Sequence, residues 1–423
     1  MALSSAQSQS AFSSANPHAL AVILEASETR RIIAATDIFD LAGIKLWARD
    51  QPVSAALQRK LLDRKLREPL ETCLVAEDGV TPLVLLGGLQ GLLHGDSPLA
   101  PLLRPHAARL EREVAQLPLL PVAQLLLTAG QAARPRAFDH AVAAMALSGA
   151  LVAGRGGETP EIRLAMLCGL LHDLGEMYID PRFGEADADR DMDFISYQQL
   201  VVHPHVGHLL IKQLTTYPVA VARAIAEHHE RLDGSGYPHA LKGEQLSPLG
   251  KLLAVTEATL GALRGKGDHL LQASVALRAV PGEFDLVWVG QVSRAANRLP
   301  PQPAVMETSD IQARLSALNG VLQAAESHVA ELAARTAHQA LKDTLVLAQF
   351  LLGRLRSGWN ESGMWNPRAL ASADAAEVEA VEDELYARLR GIQRAMLLRA
   401  GQLPKAESAE LSTLCESLAM GTA

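Results

Sequence analysis

Histidine and aspartate are concentrated in one stretch of this 423-residue sequence. Eight of the 14 histidines lie between residues 140 and 239, where His172-Asp173, His203-Pro204 and His228-His229 form three short blocks. Imidazole nitrogens and carboxylate oxygens are typical ligands of iron, manganese and zinc. Each block is predicted to lie at the end of a separate helix. The sequence therefore predicts a metal site to which several helices contribute side chains.

The same residues indicate two ions rather than one. Neighbouring residues of a helix point about 100° apart, so His228 and His229 are not expected to share one ion easily, and each could serve one of two adjacent ions. A carboxylate can bridge two ions about 3.5–4 Å apart, and Asp173 is the candidate for this bridge. We expect iron or manganese rather than zinc, and we interpret Cys168, close before His172, as a core residue.

The segment after the histidine pair is the most specific motif of the chain. It reads Glu230-Arg-Leu-Asp-Gly-Ser-Gly-Tyr-Pro238. Gly234 and Gly236 give the backbone freedom, while Pro238 fixes the conformation at the exit of the loop. An Asp-Gly-Ser-Gly sequence alone predicts only a turn, but its direct connection to two histidines makes it a signature.

From about Pro135 to Leu263 the sequence resembles the HD-GYP branch of the HD metal-dependent phosphohydrolase superfamily, whose well-known members hydrolyse cyclic di-GMP. The resemblance implies two divalent ions. It also implies a set of metal ligands: His140, His172, Asp173, His203, His228, His229 and Glu257. It further implies that one group of loop residues lies beside the substrate: Asp233, Gly234, Gly236, Tyr237 and Pro238. Three histidines match no ligand position and are expected on helix surfaces or loops: His205, His208 and His239.

Two positions depart from the HD-GYP pattern. Glu176 stands where the family has a lysine that contacts phosphate, and Gly261 stands where an aspartate is usual. We expect Asp173 and Glu176 to orient the attacking water. Two divalent ions together with three carboxylates, those of Asp173, Glu176 and Glu257, leave a formal charge of only +1. Attraction to an anionic phosphodiester is therefore weaker than with the family's lysine.

Three functions remain open at this point. The first is a cyclic di-GMP phosphodiesterase in bacterial second-messenger signalling, which the intact ligand set favours. The second is a signalling or scaffold module without hydrolytic activity that acts through protein partners, which the glutamate at position 176 favours. The third is a di-iron oxygenase similar to inositol oxygenase, which the Gly-Tyr-Pro loop does not support. Whether the chain is an enzyme stays open.

The elements that must position these residues are predicted to be mainly α-helical, because hydrophobic residues make up 48% of the chain and aromatic residues only 4%. This composition excludes a wholly disordered chain and disfavours an all-β protein. Prolines mark the boundaries between four predicted regions of the chain. These regions are a disordered leader at 1–17, a small α+β module at 18–97, the helical HD-GYP domain at 98–299 and a helical module at 300–423.

Local patterns predict the elements themselves. His140 is expected to begin a helix over 141–147, His172 to follow a helix over 162–171, His203-Pro204 to open a helix, and His228-His229 to end one that begins at Pro218. In the N-terminal module, the runs 32–39 and 44–47 predict a hairpin, and Ser54 is expected to cap the helix after it.

In the C-terminal module, one apolar stripe predicts a helix that either packs within the chain or forms a dimer seam. Its residues are Ile311, Leu315, Leu318, Leu322, Ala325, Val329 and Leu332. A capping box, Asp374 to Glu377, predicts a second helix with one apolar face. Its residues are Val378, Val381, Leu385, Leu389, Ile392 and Met396.

Charge and cysteine content suggest partners and location. The net charge of −8 gives no basic surface for DNA. Three distant cysteines do not form a disulfide framework, so we expect a cytoplasmic protein. The N-terminus lacks a secretory signal, and prolines interrupt the longest uncharged stretch, 114–133, so no membrane span is expected. The expected partners are a cyclic dinucleotide, signalling proteins and, as an open alternative, a second copy of the chain.

Overall fold

A computed structural model describes residues 11–180, 194–264, 269–300, 308–362, 375–400 and 403–419 of the chain. The chain divides into two compact units. The first consists of Met1–Arg190, Gln199–His229 and Leu246–Thr256, and the second consists of Asp191–Gln198, Glu230–Gln245 and Glu257–Ala423. The predicted region boundaries near residues 98 and 300 stay predictions.

The first unit contains short strands followed by many helices. In chain order its elements are α1 (Pro17–Ser27), β1 (Ile32–Ala34), β2 (Ile38–Phe39), β3 (Lys45–Trp47), α2 (Ala55–Leu61), α3 (Leu70–Cys73), β4 (Leu74–Ala76), α4 (Pro82–His94), α5 (Ala100–Leu103), α6 (Ala107–Val114), α7 (Pro121–Ala133), α8 (Pro135–Gly154), α9 (Thr159–Leu171), α10 (Phe194–Leu214), α11 (Val219–Glu227) and α12 (Pro248–Leu263). A short 3-10 helix, Leu174–Tyr178, follows α9. The division between the two units passes through α10 and α12.

The strands form two antiparallel pairs. β2 pairs with β3, with Ile38 opposite Trp47, which confirms the predicted hairpin. The predicted first strand is interrupted, however, because β1 pairs instead with β4, with Ile32 opposite Ala76. Ser54 precedes α2 as predicted, but its side chain makes no capping hydrogen bond.

Helix α8 lies at the core of the first unit. It packs against α7, α9 and α4, and most of its side chains are buried. Of the described helices, α8 alone is long and apolar enough to cross a membrane, and 67% of its apolar window is buried inside the protein. Gly169 of α9 permits close packing on α8, because a side-chain carbon at that position would collide with the Ala144 backbone. These contacts fix the end of α9 relative to α8.

The second unit is helical in its described part. Its later elements are α13 (Leu270–Ala276), α14 (Leu286–Ala296), α15 (Thr308–Arg335), α16 (Gln339–Ser362), α17 (Ala375–Ala400) and α18 (Lys405–Ala419). All seven residues of the predicted stripe on α15 are buried in one core that α16, α17 and α18 complete. The stripe therefore packs within the chain, and the homodimer stays a prediction.

The second predicted C-terminal helix is α17. Its apolar face belongs to the same core, with Val381 only partly buried. Asp374, the first residue of the predicted capping box, lies outside the described residues. The described residues of both units are mainly helical, with a few short strands near the N-terminus, so the predicted fold class is confirmed.

Candidate metal centre

Four helices of the first unit bring five histidines and one aspartate together. His140 lies in α8, His172 and Asp173 directly follow α9, and His203 lies in α10. His228 and His229 directly follow α11. The predictions for the ends of α9 and α11 are confirmed. The prediction that His203-Pro204 opens a helix is wrong, because α10 begins at Phe194 and Pro204 lies inside it.

The start predicted for the first helix is also wrong. α8 begins at Pro135, so His140 lies in its second turn rather than at its first residue. Proline at the first helical position is well tolerated, since the missing N–H would have no helical partner there. The helix therefore begins five residues before His140, earlier than its apolar pattern suggests.

The carboxylate of Asp173 lies at the middle of the cluster. Its Oδ2 atom is 3.4 Å from Nε2 of His140 and 3.1 Å from Nε2 of His172. Its Oδ1 atom is 3.4 Å from Nε2 of His203 and 3.3 Å from Nε2 of His228. Each oxygen thus faces a different pair of imidazoles, as expected for a carboxylate that bridges two ions.

Three of these rings are oriented in the same way. Nδ1 lies 2.7 Å from the Gly169 carbonyl in His172, 2.5 Å from the Leu200 carbonyl in His203 and 2.6 Å from the Ile225 carbonyl in His228. Only an N–H group can donate to a carbonyl at such a distance, so the ring proton lies on Nδ1. In a neutral ring, Nε2 then carries the lone pair that a metal requires.

Pro204 explains how His203, although it lies inside α10, finds a backbone carbonyl without a helical donor three residues earlier in the chain. In an uninterrupted helix the Leu200 carbonyl would accept from the N–H of residue 204, but proline has none. The Leu200 carbonyl instead accepts from Nδ1 of His203. The carbonyls used by His172 and His228 belong to the last turns of their helices, where carbonyls also lack helical donors.

Two glycines, Gly175 and Gly207, allow the 3-10 helix after Asp173 to approach α10 closely. A side-chain carbon at Gly175, two residues after Asp173, would collide with the backbone carbonyl of His203. Gly207 provides the facing surface on α10, where its N–H also lies close to Gly175. The 3-10 helix after Asp173 can therefore pack directly on α10, which brings the carboxylate to His203.

The donor atoms fit a cation. Nε2 of His203 lies 3.1 Å from Nε2 of His228, and both rings use their proton on Nδ1. Two lone pairs at this distance repel each other unless a positive charge lies between them. Oδ1 of Asp173 is buried and accepts no hydrogen bond, although buried carboxylate oxygens are rarely left in this state. Divalent ions would satisfy both features.

The protonation states agree with this interpretation. Burial lowers the pKa of His228 to about 3, and the neighbouring His229 lowers it as well, while Asp173 acts in the opposite direction. Burial by itself would raise the pKa of Asp173, but the surrounding imidazoles, His172 foremost, hold that pKa well below its usual range. A neutral imidazole and an ionised carboxylate are the forms that bind metals.

His228 and His229 lie closer together than the sequence predicts. Their ring centroids are 4.1 Å apart, and their ligand atoms lie within 4.8 Å of each other and of those of Asp173 and His203. One ion could therefore contact both rings, but the assignment of the two rings to two adjacent ions stays a prediction. Its geometric premise fails because α11 ends at Glu227, so the 100° spacing does not extend to these residues.

The other histidines and the nearby cysteine lie outside this group. His205 and His239 are exposed, on α10 and in a loop respectively. His208 is half-buried, and its Nδ1 lies 3.0 Å from the Ala222 carbonyl. Cys168 is fully buried, and burial raises the pKa of its thiol to about 12. A protonated thiol is a poor ligand, which agrees with its interpretation as a core residue.

Glu176 lies in the 3-10 helix after Asp173 and is 6% exposed. Its backbone carbonyl accepts a hydrogen bond of 3.0 Å from Nη1 of Arg134. Arg134 immediately precedes α8, six residues before His140, and belongs to none of the sequence motifs. Arginines directly before helices occur in proteins of many different functions. The sequence alone therefore does not identify Arg134 as a residue near the metal centre.

The remaining predicted site residues belong to the second unit. Glu257 is a buried residue of α12, and its Oε1 lies 2.6 Å from Nη2 of Arg264. Gly234 has a φ of 86°, which confirms the need for glycine there. The roles of Glu257 as a metal ligand and of Gly236, Tyr237 and Pro238 at the substrate stay predictions.

The loop formed by residues 230–238, called the motif loop below, is held in one conformation by two acidic residues, Glu230 and Asp233. Oδ1 of Asp233 accepts from the Ser235 amide at 2.9 Å, and its Oδ2 lies 2.9 Å from Nε of Arg354 on α16. The fully buried Glu230 carboxylate accepts from the His239 amide at 2.6 Å and from the Leu241 amide at 2.9 Å. Both carboxylates thus stabilise one loop conformation.

Comparison with known proteins finds similarity in the middle of the chain. Residues 159–279 match the family model described as HD domain. A cyclic di-GMP phosphodiesterase of Pseudomonas aeruginosa is 35% identical over 121 residues, which is 28% of this chain and 28% of that protein. A cyclic di-GMP phosphodiesterase response regulator of Xanthomonas campestris is 30% identical over 120 residues, which is 27% of this chain and 31% of that protein.

A third relative, the 3′3′-cGAMP-specific phosphodiesterase 3 of Vibrio cholerae, is 25% identical over 88 residues, or 21% of this chain and 18% of that protein. The chain spans less than a third of the length of each of these relatives. The matched segments and the convergence of His172, Asp173, His203 and His228 agree with the resemblance that the sequence motifs indicate. Residues 159–279 of this chain are therefore similar to the HD domain family.

Proposed function

We propose that this chain is a metal-dependent phosphodiesterase that hydrolyses a cyclic dinucleotide, cyclic di-GMP, in bacterial second-messenger signalling in the cytoplasm. The observation that carries the proposal is the position of Asp173, whose two oxygens face two different pairs of imidazoles. The activities of the relatives, two cyclic di-GMP phosphodiesterases and one cGAMP phosphodiesterase by name, support the substrate class.

The donor set supports two divalent ions, with iron or manganese favoured over zinc. The residues that would hold them are His140, His172, Asp173, His203, His228, His229 and Glu257. Bound divalent ions lower the pKa of water and stabilise negative charge on phosphoryl oxygens. Imidazole and carboxylate donors without a thiolate suit iron and manganese, because the thiol of Cys168 stays protonated.

The chain's own residues perform three tasks in this proposal. The carbonyl partners of His172, His203 and His228 keep Nε2 of each ring directed at the centre. Asp173 orients the attacking water, and we propose that Glu176 assists it. Burial of the histidines excludes bulk water, so electrostatic interactions with a phosphodiester are stronger than at an exposed surface.

The motif loop would contribute to substrate binding. Gly234, Gly236, Tyr237 and Pro238 are proposed to shape the surface beside the nucleotide, while Asp233 keeps the loop in place through Arg354. This role rests on the resemblance to HD-GYP proteins and on the hydrogen bonds within the loop. Binding of cyclic di-GMP to a loop variant such as Tyr237→Ala would measure it directly.

Hydrolysis by purified protein tests the proposed function. Protein prepared without oxygen is loaded with Mn²⁺ or Fe²⁺ and incubated with cyclic di-GMP, and chromatography detects the linear dinucleotide or GMP. We expect product from the unaltered protein and none from the His172→Ala/Asp173→Ala variant. The His205→Ala variant is the matched control, because His205 is exposed on α10. Metal uptake without product would contradict the proposal and favour a non-hydrolytic signalling module.

A further inference from the structure

A buried carboxylate beside the metal centre needs a positive partner. Glu176 is 6% exposed and lies three residues after Asp173. Burial of a carboxylate without compensation is unfavourable, and one such charge next to the proposed ions would also repel an anionic substrate. A positive charge close to Glu176 would offset it.

Arg134 has the required position. Its Nη1 donates to the Glu176 carbonyl at 3.0 Å, which fixes the guanidinium against the segment that follows Asp173. Its Nη2 is buried and has no hydrogen-bond partner. An arginine nitrogen is seldom buried in this way without a function, since each such donor costs free energy when it leaves water.

A small cavity connects these groups. Arg134, Asp173 and Glu176 all line a cavity of about 40 Å³ whose other walls are apolar, among them Phe138 and Leu170. This volume accommodates only a few water molecules. Charges interact more strongly across such an apolar space than across bulk water.

We propose that Arg134 is a positioning residue that offsets the negative charge of Glu176 and so keeps the metal centre attractive to a phosphate group. The inference rests on the proposed function, because it concerns the same site. Arg134 adds one positive formal charge that interacts with the negative charge of Glu176, so this pair has no net charge. Glu25 and Asp180 also interact with the Arg134 charge, and the guanidinium stays protonated at neutral pH although burial lowers its pKa.

The inference makes opposite predictions for cations and anions. In the Arg134→Gln variant the Glu176 charge is no longer offset by Arg134, which should strengthen Mn²⁺ binding several-fold and weaken binding of inorganic phosphate to the Mn²⁺-loaded protein about tenfold. A variant that merely distorts the site would bind both ions less tightly. Calorimetric titration of the full chain with Mn²⁺ alone, and then with phosphate, separates these two cases.

A mutant cycle tests whether Arg134 acts through Glu176. In the Glu176→Gln background, Arg134→Gln should change the affinity for phosphate less than twofold, because no carboxylate remains to be offset. Arg134→Lys should keep most of the affinity for phosphate, since the positive charge is retained. Arg136→Gln is the matched control and should change nothing, because Arg136 is exposed two residues further along the chain.

The inference is overturned if Arg134→Gln has the same effect with and without Glu176, if it weakens the binding of both ions, or if the Mn²⁺-loaded protein binds no phosphate. None of these measurements requires turnover. A protein that shows the expected cycle but does not hydrolyse cyclic di-GMP would therefore refute the proposed function while the role of Arg134 stands. A protein that hydrolyses the substrate without the cycle would refute only the role of Arg134.

Discussion

The Nε2 atoms of His203 and His228 lie 3.1 Å apart although each ring has placed its proton on Nδ1. The two rings come from different helices, so this approach is a property of the fold rather than of a single motif. Helix packing therefore holds together two groups that would separate in the absence of a shared cation. A cation bound between the two nitrogens would remove the repulsion between their lone pairs, so metal binding should stabilise the folded protein.

Removal of one of these rings should reduce metal binding. In the His203→Ala variant we expect at least tenfold weaker Mn²⁺ binding, because only one of the two facing nitrogen donors, Nε2 of His228, remains to bind the ion. Metal analysis after dialysis and calorimetric titration measure the change. His205→Ala on the same helix should bind Mn²⁺ like the unaltered protein, since His205 is exposed. Equal metal content in the two variants would refute His203 as a ligand.

The proline inside α10 should matter for the metal rather than for the helix. Pro204→Ala supplies an N–H that can donate to the Leu200 carbonyl, and this donor competes with Nδ1 of His203. We expect roughly 10- to 100-fold weaker Mn²⁺ binding, as found when the partner of a ligating histidine is lost. The melting temperature without metal should stay equal or rise. Unchanged Mn²⁺ affinity would show that the ring needs no such carbonyl.

The ion pair between Asp233 and Arg354 should stabilise the motif loop. The Asp233 side chain is 8% exposed, and Arg354 also donates through Nη2 to the Pro281 carbonyl. Arg354→Gln leaves the Asp233 charge without its partner, and we expect the free energy of unfolding to fall by about 1–3 kcal/mol.

Hydrogen exchange at the Ser235 amide should be faster in this variant, because that amide donates to Asp233. The Asp233→Asn/Arg354→Gln double variant should be less destabilised than the sum of the two single variants. Additive losses of stability would contradict a direct interaction between the two side chains.

Stability should depend on pH through Glu382 of α17. The side chain is fully buried, its Oε1 lies 2.7 Å from Nε of Arg314, and burial raises its pKa to about 7 although Arg314 acts to lower it. Because the pKa is higher in the folded protein than in the unfolded chain, the stabilisation is complete below about pH 4.5. It is lost as the pH rises through 7, by up to about 3 kcal/mol.

Melting temperatures at pH 5 and pH 8 test this dependence. The unaltered protein should lose stability between the two values, and Glu382→Gln should lose less because residue 382 no longer titrates. Asp310→Asn is the control, since Asp310 is exposed on α15. An identical loss in the unaltered protein and in Glu382→Gln would exclude Glu382 as the source.

The sequence predicts the mainly helical fold and the convergence of the five histidines with Asp173, because helix ends leave clear signals. It fails at His203-Pro204. Proline is typical of a first helical turn, and only the structure shows that His203 compensates for the donor that Pro204 removes from α10. The local sequence pattern cannot show that Nδ1 of His203 replaces the N–H that Pro204 lacks, because this depends on the direction of the His203 side chain.

Long-range partners are also beyond the reach of the sequence. Arg134 and Glu176 are 42 residues apart, and Asp233 and Arg354 are 121 residues apart. No spacing rule connects such residues, and their pairing follows from how helices pack. The hairpin of β2 and β3 was predictable because its turn is local, whereas the pairing of β1 with β4 was not.

The burial of His228, whose Nδ1 donates to the Ile225 carbonyl, affects how the centre responds to acid. An exposed imidazole loses its ion near pH 6, since a proton then competes for the same nitrogen. The pKa of His228 is about 3, so this nitrogen has no proton to release when an ion arrives at neutral pH. Burial, which lowers the pKa of His228, therefore keeps Nε2 of this ring in its metal-binding form in mildly acidic solution.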